Sequence, residues 1–259
     1  MTPRFPLIKP LVDWTVTFLL WAHFTAGFVV LFAPRYLWAR LRSGDCEAAF
    51  QRLNHLYFRS FFRLLLRITP GLTLRVGGDV RRLRSAVIIG NHLSYLDPIL
   101  LISLFEKQKT IVKSVFFRVP IFGWVLRRSG YIPSTSGEDY ASLMIRNIEH
   151  IRDYLDSGGN LFIFPEGTRS RTGRLGPFSK GAFSIARYCR APIACVRIRH
   201  TDRLFIPGRF RFNTCVPNTV SLELIGMFNP EYGDPTFRLA DLIREVRALY
   251  DAQPSADSD

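Results

Sequence analysis

Six short strand-like segments constrain this chain more than any other feature. They are Leu72–Val76, Ala86–Gly90, Thr110–Lys113, Asn160–Phe164, Pro192–Ile198 and Thr219–Ile225. Each has the length of a strand and is too short for a core helix. Between and after them come helix-length stretches at Asp97–Phe105, Glu138–Leu155, Lys180–Cys189 and Thr236–Tyr250. In the longest, Tyr140, Met144, Ile148, Ile151 and Leu155 recur on one face, the pattern of a stripe packed on a core. This order predicts an α/β fold, a mixed and mostly parallel sheet flanked by helices. A chain of 259 residues can bury a full core in one such domain and still carry an appendage. We place the α/β domain at residues 71–252, N-terminal helices at 1–70 and a frayed tail at 253–259.

The run ending at Gly90 leads directly into Asn91-His-Leu-Ser-Tyr-Leu-Asp-Pro98. A buried strand thus delivers a histidine and an aspartate to the point where the chain turns. Imidazole is the side chain best suited to general-base work near neutral pH, and a carboxylate partner fixes its tautomer. Five residues at about 100° each would separate His92 from Asp97 on a helix, so a contact between them requires a loop that curves back. Asp97-Pro98 also has the form of a helix start, with an N-cap carboxylate and proline in the first turn. The two roles are compatible. Ser94 reads as a turn residue, and the chain has no Gly-x-Ser-x-Gly elbow for an acyl-enzyme.

About seventy residues later the run Asn160–Phe164 leads into Pro165-Glu-Gly-Thr-Arg-Ser170. With both blocks unbroken and in this order, residues 86 to 198 resemble the glycerolipid acyltransferase family, and more narrowly its bacterial 1-acyl-glycerol-3-phosphate acyltransferases. That resemblance implies an O-acyltransferase with His92 as general base and Asp97 orienting it. It implies substrate binding at Asn91, Lys113, Glu166, Gly167, Thr168, Arg169 and Lys180, with Arg169 as a planar fork for phosphate. The co-substrate would be acyl-CoA or acyl-carrier protein, with no cofactor and no metal. The acceptor would be a lysolipid, first of all 1-acyl-glycerol-3-phosphate. Lys113, Pro120 and Gly123 match a further family segment, whose glutamate is missing here. After Tyr131-Ile132 many members keep an arginine, whereas this chain reads Pro133-Ser-Thr-Ser136, which leaves other lysolipids open as acceptors. From the residues alone, Gly167 could serve only a positive-φ turn and Arg169 a solvated basic face that includes Arg171, Arg174 and Lys180.

The net charge is +14, and thirty of the thirty-five basic residues are arginine. Such a balance calls for an anionic partner: lipid head groups, nucleic acid or an acidic carrier protein. Trp14–Ala33 carries no formal charge and is long enough to cross a bilayer. Arg35, Arg40, Arg42 and Arg52 follow it, against Arg4 and Lys9 before, which favours a cytoplasmic catalytic domain. His55–Ile68 sets Arg59, Arg63 and Arg67 against Phe58, Phe61, Phe62, Leu65 and Leu66, as an interfacial helix does; a helix docked on the core has the same pattern. We expect these segments to form a membrane helix hairpin, with membrane lipids as partners. No helix-turn-helix, zinc or RNA-binding signature supports a nucleic-acid binder. Four cysteines (46, 189, 195 and 215) form no metal-ligand spacing, consistent with reduced thiols.

Overall fold

The computed structural model describes residues 7–134, 141–170 and 174–253. The chain starts with one long helical stretch, Lys9–Arg42. It comprises α1 (Lys9–Ala22), a wider π-wound segment (His23–Phe32) and α2 (Ala33–Arg42). After a tight turn, Asp45 caps α3 (Cys46–Ile68) by accepting from the Ala48 amide at 2.9 Å, which satisfies one otherwise orphaned donor. The α3 helix runs back along the first stretch: Tyr36 meets Phe50, Phe32 meets Tyr57, and His23 meets Ser60 and Phe61.

Then follow β1 (Leu72–Val76), α4 (Gly78–Arg82), β2 (Val87–Gly90), α5 (Leu96–Leu104) and β3 (Gln108–Lys113). A 3-10 turn (Ser114–Arg118) leads to α6 (Phe122–Arg128), β4 (Ile132–Ser134), α7 (Ala141–Glu149), α8 (Ile151–Asp156) and β5 (Asn160–Ile163). The chain continues with α9 (Lys180–Cys189), β6 (Ile193–Arg199), α10 (Thr201–Leu204), β7 (Asn218–Phe228) and α11 (Leu239–Asp251).

The strands form a seven-stranded sheet in the order β1-β7-β6-β2-β5-β3-β4. Every neighbouring pair is parallel except β6 and β7, so β1 and β7 run against the other five. The mixed, mostly parallel sheet read from the sequence is therefore present. Strands β2 and β5 are buried on both faces, which is why Val87–Gly90 and residues 161–163 appear in the sequence as apolar runs. Ile88, Phe162 and Val196 face α3 and α5, while Val87, Ile89, Leu161 and Cys195 face α8, α9 and α11.

The longest sequence-predicted helix is two helices. His150 interrupts it with φ −90° and ψ −1°, and Ile151 and Leu155 still bury as the stripe required. Its first residues, 138–140, lie outside the described set. Strand β4 was not predicted, being three residues long with a proline at its centre.

The helix His55–Ile68 requires a correction. Its aromatic face is Tyr57, Phe58, Phe61, Phe62 and Leu65, all buried in the same apolar cluster as Ile88, Leu100 and Phe162. The face read as interfacial is thus covered by α5 and the first helix, leaving the arginine side to solvent. Among the described residues, one helix is long and apolar enough to cross a bilayer, Lys9–Arg42, rather than a pair. Val16, Leu20, Phe32 and Tyr36 bury one of its faces in the same cluster, while Leu11, Trp14, Phe18, Leu19, Val29, Val30 and Trp38 are exposed.

Candidate active site

The five mutually parallel strands all end at one edge of the sheet, the position at which open α/β sheets hold their ligands. Strand β2 ends at Gly90, β5 at Ile163, β3 at Lys113 and β6 at Arg199. Both polar blocks follow these ends directly.

After β2 the chain turns before α5, and Asp97 is the hub of that turn. Its Oδ2 accepts from His92 Nδ1 at 2.9 Å, from the Leu93 amide at 2.6 Å and from the Ser94 amide at 2.7 Å. Its Oδ1 accepts from Thr201 Oγ1. The carboxylate is fully buried, and four donors compensate for its lost hydration. The loop that the spacing demanded is therefore built by the aspartate itself, which draws two preceding backbone amides onto its carboxylate while holding the imidazole. It does not cap α5 as expected, since Tyr95 is the N-cap and no side chain caps that helix. Because Nδ1 carries the proton shared with Asp97, Nε2 is the basic nitrogen of His92. It makes no hydrogen bond among the described residues. The ring stacks on Phe164, with centroids 4.4 Å apart and planes at 22°, which fixes its tilt.

The second block is tied to the first by its backbone. The Ser170 amide donates to the His92 carbonyl at 2.8 Å. Glu166 Oε1 accepts from the His92 amide at 2.9 Å, and Oε2 accepts from the Gly176 amide at 2.8 Å. Both oxygens of Glu166 are thus used in bracing the two loops. Glu166 thereby ties the base-bearing loop to the second block. Asn91 is engaged by backbone too: its Nδ2 donates to the Ile198 carbonyl and its Oδ1 accepts from the Ile198 amide, at 2.8 and 2.7 Å. It clamps the end of β2 to β6.

Gly167 adopts φ +65° with open space around a would-be Cβ, so it is there for the turn. Thr168 is exposed beside it. The Arg169 guanidinium lies over the Tyr95 ring, 3.5 Å from its centroid, and its Nη1 is buried without a hydrogen-bond partner among the described residues. Lys113, at the end of β3, and Lys180, opening α9, are exposed at the same edge and do not contact His92. Arg171 lies outside the described residues. Gly123, matched to the family segment, is required by close approach: a Cβ there would clash with the Phe117 carbonyl oxygen. Ser94 is fully buried and donates to the Phe205 carbonyl at 2.9 Å, which leaves it unable to act as a nucleophile.

Thr201 and Phe164 were not singled out in the sequence. Thr201 lies 104 residues from Asp97 along the chain, and no local pattern links them. Phe164 stands at the head of the second block, where an aromatic reads as the end of an apolar strand.

An imidazole with a free basic nitrogen, an oriented carboxylate behind it and an arginine with an unspent N–H define a base-and-anion site. The family model described as Acyltransferase matches residues 73–199, the segment that contains every one of these groups. That segment is an acyltransferase-family segment. Among its relatives, the chloroplastic 1-acyl-sn-glycerol-3-phosphate acyltransferase BAT2 of Brassica napus is 34% identical over 47% of this chain and 35% of its own length. The 1-acyl-sn-glycerol-3-phosphate acyltransferase of Borreliella burgdorferi is 28% identical over 60% of this chain and 62% of its own. The chain thus spans about a third to two thirds of these relatives. The crystal structure of the 1-acyl-sn-glycerophosphate acyltransferase PlsC from Thermotoga maritima matches with TM-score 0.67 over 94% of this chain and 98% of that one. At 21% identity, that likeness is one of fold.

Proposed function

We propose that this protein is a lysolipid O-acyltransferase. It moves a fatty acyl group from acyl-CoA or acyl-carrier protein to the sn-2 hydroxyl of 1-acyl-glycerol-3-phosphate, giving phosphatidic acid. The observation that carries the reading is the His92–Asp97 pair with Nε2 left basic and unpartnered, inside a segment matched by the Acyltransferase family. The names of the relatives support the acceptor.

In this mechanism His92 Nε2 accepts the proton of the acceptor hydroxyl as its oxygen attacks the thioester carbonyl. Asp97 holds the ring and stabilises the imidazolium that forms. Collapse of the tetrahedral intermediate breaks the carbon–sulfur bond, and the imidazolium returns its proton to the leaving thiolate. The products are ester and free thiol, and His92 is neutral again. The acceptor's phosphate is held by Arg169, whose unsatisfied Nη1 suits an anionic oxygen. Attachment to the membrane is through the exposed apolar face of Lys9–Arg42, with the site on the cytoplasmic side, as the arginines following Ala33 favour.

A different lysolipid acceptor is the second reading, favoured by Pro133 and Ser134 closing β4 where many members carry arginine. Acyl transfer from labelled donor to a panel of lysolipids separates the two. Phosphate recognition predicts a preference for lysophosphatidic acid, and a rise in acceptor KM in Arg169→Ala that far exceeds any change for the donor. Equal rates with a lysolipid lacking the terminal phosphate would sink the phosphate clamp and leave the reaction class standing.

A further inference from the structure

We propose that Tyr95 is a positioning residue for the acceptor. Its ring is the platform that holds the Arg169 guanidinium flat against the base-bearing loop. This rests on the reading of Arg169 as the phosphate-binding group and extends it to a residue that the two blocks' chemistry leaves unused.

Three observations carry it. First, Tyr95 is 51% exposed and one ring face is occupied by the Arg169 guanidinium, 3.5 Å from the centroid. A guanidinium stacked in this way keeps all its N–H groups in its own plane and available to an oxygen anion. Second, Arg169 Nη1 is shielded from solvent and has no partner among the described residues, a condition that costs free energy unless a ligand supplies the acceptor. Third, the two ends of the stack are anchored to the base. Tyr95 lies two residues before Asp97, in a loop pinned by the Leu93 and Ser94 amides on Asp97. Arg169 is followed by Ser170, whose amide bonds the His92 carbonyl at 2.8 Å.

Base and clamp therefore hang on the same few residues, and the distance between the reacting hydroxyl and the bound phosphate is set by this local geometry. An acceptor with hydroxyl and phosphate on neighbouring carbons of a glycerol backbone has the short span that such a fixed pair selects. Without the platform the guanidinium swings free, and the cost falls on acceptor binding.

The test is a double-mutant cycle on the full chain in mixed micelles, with acceptor and donor KM measured separately. Tyr95→Ala is expected to raise the acceptor KM by roughly two- to thirty-fold, the span of cation–π contacts from exposed to desolvated sites. The kcat and donor KM stay near wild type, and Tyr95→Phe, which keeps the ring, restores acceptor KM. In the Arg169→Ala background, Tyr95→Ala adds nothing. An unchanged acceptor KM in Tyr95→Ala, or the same increase with Arg169 already removed, would overturn the proposal. Calorimetric titration with inorganic phosphate separates this inference from the functional reading. If wild type fails to acylate lysophosphatidic acid while Tyr95→Ala and Arg169→Ala weaken phosphate binding alike, the function falls and the platform stands. If transfer proceeds and Tyr95→Ala binds phosphate as wild type does, the platform falls alone.

Discussion

The sheet carries a buried polar cluster at each end, and the two differ in what they leave unspent. At the end where β3 begins, Tyr36 donates to Asn54, and Asn54 donates to Ser129 and to the Tyr131 hydroxyl. Tyr131 donates to Gln108, Tyr154 donates to Gln51, and Gln51 donates to the Ser129 carbonyl. Lys109, 3% exposed, pairs with Glu47 at 2.7 Å and lies 4.5 Å from the centre of the Tyr154 ring. Burial pushes the Tyr131 and Tyr154 hydroxyls well above the usual phenol range, so they serve as neutral donors. This network closes on itself and bolts the first helix and α3 to the sheet. The opposite cluster, around Asp97, is as well bonded at its centre but ends in an imidazole nitrogen and a guanidinium N–H that have no partner among the described residues. A closed network holds elements together; an open one has capacity left for a ligand.

Substitutions sharpen that contrast by separating activity from stability. The largest effect is expected from Asp97→Asn. The amide cannot accept from all four donors and favours the wrong imidazole tautomer, so turnover should fall by about 10²–10⁴, the share of a positioned base. Stability should fall as well, because hydrogen bonds to a buried charged group are worth about 1.5–3 kcal/mol each. Turnover near wild type would break the claim that this cluster is the open one. Thr201→Val comes next. It removes one donor to Asp97 Oδ1 at nearly constant shape, and we expect roughly a tenfold loss in kcat, the equivalent of about 1.4 kcal/mol, with acceptor and donor KM unchanged. Thr201→Ser should recover the rate; equal loss in both variants would mean that the methyl group, and not the hydroxyl, is what matters.

The smallest effect on turnover belongs to the closed cluster. Lys109→Met removes a buried ammonium whose partner Glu47 is partly exposed, so the loss is discounted to about 1–2 kcal/mol. That corresponds to a fall in Tm of some degrees, at about 2–4 °C per kcal/mol for a chain of this size, with acyl transfer at 25 °C unaltered. A lost activity with an unchanged Tm would show that the two ends of the sheet are coupled.

Much of this was legible in the sequence, for physical reasons. Strands β2 and β5 were readable because a strand buried on both faces is nearly all apolar, and β6 through its buried first half, Ile193 to Val196. The His92–Asp97 contact was readable because the residue types and the strand before them leave few other arrangements. What could not be read was which partner each polar side chain takes. Asn91 and Glu166 stand in the right blocks, yet both are consumed by backbone amides and carbonyls, a use that the same residue types serve equally well. The α3 helix shows the same limit on a larger scale. Its two faces were evident in the spacing, but an apolar face does not state whether lipid or protein covers it. Thr201 reaches Asp97 only through the fold, so no local pattern could have announced it.

The most direct test of the account is acyl transfer from labelled acyl-CoA or acyl-carrier protein to lysophosphatidic acid by the detergent-solubilised full chain, with His92→Ala run beside it. Among the described residues the His92 side chain makes one hydrogen bond and one ring stack, so the variant should fold as wild type does. The account predicts phosphatidic acid from wild type and a rate about 10²–10⁴ lower from a variant of unchanged Tm. Wild-type turnover by a well-folded His92→Ala protein would contradict it.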